Sequence, residues 1–328
     1  MTRRLIVREE SWDVGGGFSI TRSRKWAVQT LMVEIHQDGL RGRGEGVPYR
    51  RLGETLESVA AQIEALRKDI EAGTLTRQRL QGTLGAGAAR NALDCALWDL
   101  EAKRRQVPVW QLAGLPEPRP APTAFSIPLD KPAAMASVAA ENRNRSLLKL
   151  NLGGPDDVAR VRAVRAVAPD CEIIVDANEA WTPVMYAEYA GELARLRVRL
   201  VEQPVPAGQD AALDAVGRAV PLCADESVHD THDMPAIARR YEYVNIKLDK
   251  AGGLTEAIRM VQFAQDRGIG IMLGCMIGTS LGMAPAFLLA PYASVIDLDA
   301  PQSLTADRNP AITYTDGVMQ PPPPELWG

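Results

Sequence analysis

From Thr123 onward the chain repeats one rhythm, a short apolar run followed by an amphipathic stretch, renewed roughly every 20 to 30 residues. Eight such runs stand out: "TAFSI", "LLKLNL", "EIIVDAN", "VRLVEQP", "PLCADE", "YVNIKL", "GIMLGCM" and "SVIDLDA". Strands joined through helices run parallel, since a tight hairpin joins only antiparallel neighbours. No GxGxxG opens the first unit, and eight parallel strands close naturally, so a barrel is favoured over an open doubly wound sheet.

The first third of the chain has other periods. Residues 4 to 47 alternate as antiparallel strands, with a "QDG" turn inside "AVQTLMVEIHQDGLRGRGEG". From Glu54 to about Arg104 the pattern turns helical; in "GAGAARNALDCALWDLEAKRR", Ala89, Leu93, Ala96, Leu97 and Leu100 share a face. The proline-rich "GLPEPRPAPT", residues 114 to 123, cannot continue a helix and marks a linker. The expected division is an α+β unit over 1–122, a barrel over 123–300, and a C-terminal segment over 301–328 whose "ITYTDGVMQ" reads as a hairpin or extended strand returning to the first unit.

A formal net charge of -4 with 24% charged residues leaves no basic footprint for nucleic acid. The longest apolar runs, such as "GMAPAFLLAPY", are too short and interrupted to span a bilayer, and "MTRRLIVREE" has no signal-peptide core. A cytoplasmic protein acting on small molecules is expected. The four cysteines show no CxxC spacing and the three histidines no HExxH, so neither a disulfide framework nor a zinc site is indicated.

Catalytic groups of a barrel sit where its strands end. Here the third strand ends in Asp176 and Asn178, the fourth in Glu202, the fifth in Asp225 and Glu226. Any one carboxylate alone could be a helix N-cap. Three on consecutive strands, about 4.8 Å apart, would repel unless a cation neutralised them, and all-oxygen ligation favours Mg²⁺. Lys247 ends the sixth strand, where an unpaired ammonium is costly to bury; in isolation it would snorkel, but beside a dication its pKa is expected to fall toward roughly 7 to 8, the range of a general base. Asp297 and Asp299 point the same way from the eighth strand, a solvated turn elsewhere but an ammonium receptor on a catalytic rim.

In these pieces, "GEGVPY", "GAARNALDCALWDLEAKRR", "VDANEAW", "VEQP", "CADES", "VNIKLDKAGGLTEA", "MLGCM" and "DLDAP", the chain resembles the enolase-superfamily dipeptide epimerases over essentially its whole length. The resemblance implies a modified TIM barrel, (β/α)₇β, with an α+β capping domain built from both chain ends. It implies Mg²⁺ held by Asp176, Glu202 and Asp225, and Lys247 as one of two acid/base lysines that epimerise dipeptides such as L-Ala-D/L-Glu through an enediolate. Asp297 and Asp299 would bind the dipeptide α-ammonium, Ser126 and Cys275 would lie beside the substrate, and Arg22 or Arg24 of "SITRSRK" would meet a side-chain carboxylate. A homo-oligomer is compatible with the resemblance. The second lysine of this family stands last in a KxK motif on strand two, but here the motif reads Lys149, Leu150, Asn151. Lys149 would lie about 6.6 Å, one layer, below the missing base. An amide neither takes nor supplies a proton, so impaired two-base epimerisation is expected, with one-base elimination or cycloisomerisation and non-catalytic Mg²⁺-dependent dipeptide binding as alternatives.

Overall fold

The computed structural model describes residues 3–20 and 23–328. Strands β1 (Arg4–Ile20), β2 (Ser23–Gln37) and β3 (Leu40–Gly46) form an antiparallel meander. Asp38 and Gly39 turn β2 into β3 with left-handed φ of 53° and 79°, the backbone a two-residue hairpin demands. Helices Leu56–Ala65, Arg67–Glu71, Arg77–Thr83 and Ala88–Arg105 follow. Thr55 and Ser58 cap the first of them reciprocally, satisfying backbone donors that a helix start leaves orphaned.

The helix Ala88–Arg105 lies directly on the backbone of β3. A Cβ at Gly42, Gly44 or Gly46 would overlap the carbonyl oxygen of Ala96, Ala92 or Ala88 respectively. The spacing matches because two strand residues advance about 6.6 Å and four helical residues about 6 Å, so each alternate glycine meets the next helical turn. Gly44→Ala is therefore expected to cost about 1–3 kcal/mol through overpacking, read as a lowered urea midpoint with unchanged slope.

Strand β4 (Ala121–Pro122) precedes the barrel strands β5 (Phe125–Ile127), β6 (Leu147–Asn151), β7 (Glu172–Asp176), β8 (Val198–Glu202), β9 (Leu222–Ala224), β10 (Tyr243–Ile246), β11 (Gly270–Leu273) and β12 (Val295–Ile296). These eight pair in sequence order and all in parallel. Ala124 N donates to Ile296 O at 2.8 Å and Leu298 N to Thr123 Oγ1 at 3.0 Å, which joins the first strand to the last. Helices fill the crossovers except between β8 and β9, where only the 3-10 turn Asp210–Ala215 stands. The eight-stranded barrel expected from the rhythm of the sequence is present, in the (β/α)₇β form that the resemblance implied, with strands shorter than the apolar runs that announced them.

Strands β13 (Tyr314–Thr315) and β14 (Val318–Met319) form a hairpin that pairs with β4. Beyond it the tail reaches the meander and the long helix: Arg43 Nη2 donates to Glu325 O at 2.6 Å, Trp327 Nε1 to Cys95 O at 3.1 Å and Gly328 N to Asp99 Oδ1 at 2.9 Å. No helix among the described residues is long and apolar enough to cross a membrane.

Inside the barrel, side chains stack in layers two residues apart. Ala124, Leu147, Ile174, Leu200, Cys223, Met272 and Val295 form one apolar cluster, with Tyr243 packed against it. Two residues further along the same strands come Ser126, Lys149, Asp176, Glu202, Asp225, Asn245, Gly274 and Asp297, a layer with no hydrocarbon side chain. A shift of two residues thus converts floor into chemistry.

Candidate active site

The polar layer faces the C-terminal ends of the strands, and each side chain stands there because its strand buries the residue two positions earlier. Carboxylate oxygens of Asp176, Glu202 and Asp225 lie within 4.8 Å of one another, all buried. Lys149 Nζ sits among their neighbours, 2.7 Å from Glu202 Oε2, 3.2 Å from Asp176 Oδ2 and 2.8 Å from Asp297 Oδ2. Lys247 Nζ donates to Asp225 Oδ2 at 2.6 Å and lies 4.0 Å from Glu202 Oε1. Lys250 Nζ donates to the other oxygen, Asp225 Oδ1, at 2.5 Å and to the Asp225 backbone carbonyl.

Crowding of buried charge shows in the titration of these groups. Burial, then Asp176, pushes the Glu202 carboxyl up to about 8, and burial also raises Asp176. Burial works the same way on Asp225, yet Lys247 and Lys250 outweigh it and hold that carboxyl well below the usual range. Burial pulls Lys149 down, but Asp297, Glu202 and Asp176 win and hold its ammonium well above the ordinary lysine value.

Lys247 departs from the direction its sequence position suggested. Burial does lower it, but Asp225 and Glu202 more than compensate and its pKa is raised. The lowering expected from sequence is that of a dication neutralising those two carboxylates, whereas here their charges act directly on the ammonium. The donor set does suit a hard divalent ion: three converging buried carboxylates, two of them resisting ionisation, with the Lys149 ammonium paired to Glu202 Oε2 and Asp176 Oδ2.

Asn151 lies one layer above Lys149, buried, its Nδ2 donating to Ile127 O at 3.2 Å. Asp299 Oδ2 accepts from Ser126 N at 2.6 Å, and Ser126 Oγ donates to Asp297 and Asp299 at 3.3 Å each. Burial and the neighbouring Asp297 push the Asp299 carboxyl up to about 7. Cys275 donates its thiol to Asp297 O at 3.3 Å, so it borders the same pocket.

The N-terminal unit covers the strand ends. Leu129 N donates to Ser19 O at 3.0 Å and Thr305 N to Asp13 O at 2.9 Å, pinning the β1–β2 arm across the loops after β5 and β12. Arg51, in the loop after β3, holds both oxygens of Glu179 through one guanidinium edge, with Nε to Oε2 at 2.7 Å and Nη2 to Oε1. Arg24 does not reach the polar layer; it stacks over Trp26 at 4.4 Å, donates to Gly16 O at 3.1 Å, and lines a cavity of about 250 Å³ with Ile127, Leu129 and Asp130. Arg22 lies outside the described residues. Lys25, unsuspected from sequence, has its pKa lowered by desolvation and by the cationic Arg50 and Lys247, so the arm brings it within electrostatic range of the site.

Asn245 and Lys250 were also unassigned by the sequence reading. For Asn245 the signal was present in "VNIKLDK", where the period of two puts it on the face of Lys247; Lys250 follows on the helix Leu248–Ala251, outside that period.

The chain matches the family Mandelate racemase / muconate lactonizing enzyme, N-terminal domain, over residues 2–114 and Enolase C-terminal domain-like over residues 133–325. It is 43% identical to an L-Ala-D/L-Glu epimerase of Escherichia coli over 97% of this chain and 99% of that protein. It is equally 43% identical to an N-acetyl-D-glutamate racemase of Pseudoalteromonas, over 91% and 95% of the two chains. An enolase family member from Agrobacterium tumefaciens, crystallised with sodium and L-Ala-L-Glu, superposes with a TM-score of 0.97 at 47% identity, covering 99% of this chain and 100% of that one. Matched in both halves and close to its relatives along nearly its full length, this chain belongs to the mandelate racemase / muconate lactonizing enzyme family of the enolase superfamily.

Proposed function

We propose that this chain binds dipeptides of the Ala-Glu type against Mg²⁺ held by Asp176, Glu202 and Asp225 and ionises the glutamate α-carbon with Lys247, two-base epimerisation being impaired by Asn151. The observation that carries the reading is the buried carboxylate trio with Lys247 on the adjoining strand, 2.6 Å from Asp225. The L-Ala-D/L-Glu epimerase relative and the L-Ala-L-Glu complex of the Agrobacterium protein support the substrate class, and the Enterococcus faecalis dipeptide epimerase, solved with Mg and L-Leu-L-Tyr at 29% identity, supports the ion.

In this reading Lys247 takes the α-proton while the bond's electrons pass into the substrate carboxylate. The ion, when bound, supplies the positive charge that stabilises the resulting dianion. Asp299 receives the substrate α-ammonium: Asp297 is already paired with Lys149, whereas the half-buried Asp299 carboxylate accepts hydrogen bonds from Ser126 alone among the described residues. The opposite face of the α-carbon belongs to Asn151, whose amide neither takes nor supplies a proton at neutral pH.

One observation favours a second reading. Because Lys149 already neutralises Asp297, an N-acylated glutamate lacking an ammonium would leave fewer charges uncompensated than a bare pocket suggests, and a 43%-identical relative acts on N-acetyl-D-glutamate by its name.

Both readings meet in one assay. In D₂O with Mg²⁺, L-Ala-L-Glu is expected to gain α-deuterium in the glutamate residue and to form L-Ala-D-Glu slowly, and excess EDTA is expected to stop both. Exchange with N-acetyl-L-glutamate alone would transfer the assignment to the second reading. No exchange with either substrate would leave only a binding role.

A further inference from the structure

Asn245 is fully buried in the polar layer, on the strand that leads to Lys247. Its Nδ2 donates to Glu202 Oε1 at 2.6 Å, and its Oδ1 meets no donor among the described residues. The neighbouring strand makes room for it: a Cβ at Gly274 would stand 2.5 Å from Asn245 Oδ1 and 2.6 Å from Nδ2. A side chain larger than hydrogen at 274 therefore cannot coexist with the amide in this place.

With Oε1 accepting from Asn245, the other oxygen of Glu202, Oε2, faces the Lys149 ammonium at 2.7 Å. We propose that Asn245 is a positioning residue for the divalent ion: by engaging Oε1 it fixes the orientation of the Glu202 carboxylate within the trio it forms with Asp176 and Asp225. The inference rests on the metal trio of the proposed function. An amide suits the task, since it donates one strong hydrogen bond without adding charge to a layer already crowded with carboxylates. An aspartate there would face Glu202 acceptor to acceptor, and a leucine would leave Oε1 buried and unpaired.

Titration of the purified full chain with MgCl₂ by calorimetry tests this directly. Asn245→Ser, whose hydroxyl is too short to reach Oε1, and Gly274→Ala, which keeps every polar group but displaces the amide, are both expected to weaken Mg²⁺ binding about 10- to 100-fold. Melting of the metal-free proteins separates this effect from loss of fold, and Gly274→Ala carries the test should Asn245→Ser not fold. Mg²⁺ affinities within about twofold of the parent in both variants overturn the positioning role while leaving the trio intact. A parent that takes up no divalent ion overturns the trio itself, and the role of Asn245 with it.

Discussion

Asn151→Lys is expected to raise the rate of dipeptide epimerisation by about 10²- to 10⁴-fold, the usual worth of a positioned acid/base group. Inverting a tetrahedral carbon requires a proton to leave one side and another to arrive on the other, and Lys247 serves a single side. Asn151 occupies the top of β6, one layer above Lys149, with Asp176 as its register partner on β7. Lys149 is no ready substitute, being held by Asp297, Glu202 and Asp176 at 2.8, 2.7 and 3.2 Å. An added ammonium at 151 enters surroundings richer in carboxylates than in cations, so its charge is tolerated. Asn151→Met provides the control, matching lysine in bulk without an amine. Formation of L-Ala-D-Glu, followed by chiral chromatography, should accelerate in the lysine variant alone; equal rates in parent and lysine variant would mean that the second proton comes from elsewhere.

Lys247→Met is expected to remove α-deuterium incorporation altogether, a fall of at least about 10²- to 10⁴-fold, because the other two ammonium groups beside the trio are fully engaged, Lys149 by Asp176, Glu202 and Asp297 and Lys250 by Asp225 and the Asn245 carbonyl. The fold should survive. Truncating one partner of a buried ion pair normally strands the other, but Asp225 keeps Lys250 on its Oδ1 at 2.5 Å. Mass spectrometry of the dipeptide after incubation in D₂O, beside a thermal melt of the variant, reads both expectations. Retained labelling in a folded Lys247→Met protein would move the base to another residue.

The barrel was legible because its strands differ from their surroundings in composition as well as period: "EIIVDAN" and "YVNIKL" are apolar, short and flanked by helical stretches. Asp176, Glu202 and Asp225 were legible for the same reason, each closing such a run. Strand lengths were not, because an apolar run continues into loop residues that pack as tightly as the strand; "SVIDLDA" yields only Val295–Ile296 as strand. Orientation of long side chains escaped too. Arg24 turns to Trp26 and Gly16, a choice made by neighbours that the arm's backbone brings close. The Lys247 shift differs in direction from that expected beside a dication because Asp225 and Glu202 act on its ammonium directly and outweigh burial.

The hydrocarbon floor beneath the charged layer has an electrical consequence. Leu147, Ile174, Leu200, Met272 and their companions polarise poorly, so the field of the carboxylates above them is scarcely damped downward and finds solvent only on the side of the strand tips. The barrel then behaves as an insulated cup whose rim alone attracts cations, and an ion or an ammonium-bearing ligand is drawn in through the same opening that the β1–β2 arm spans.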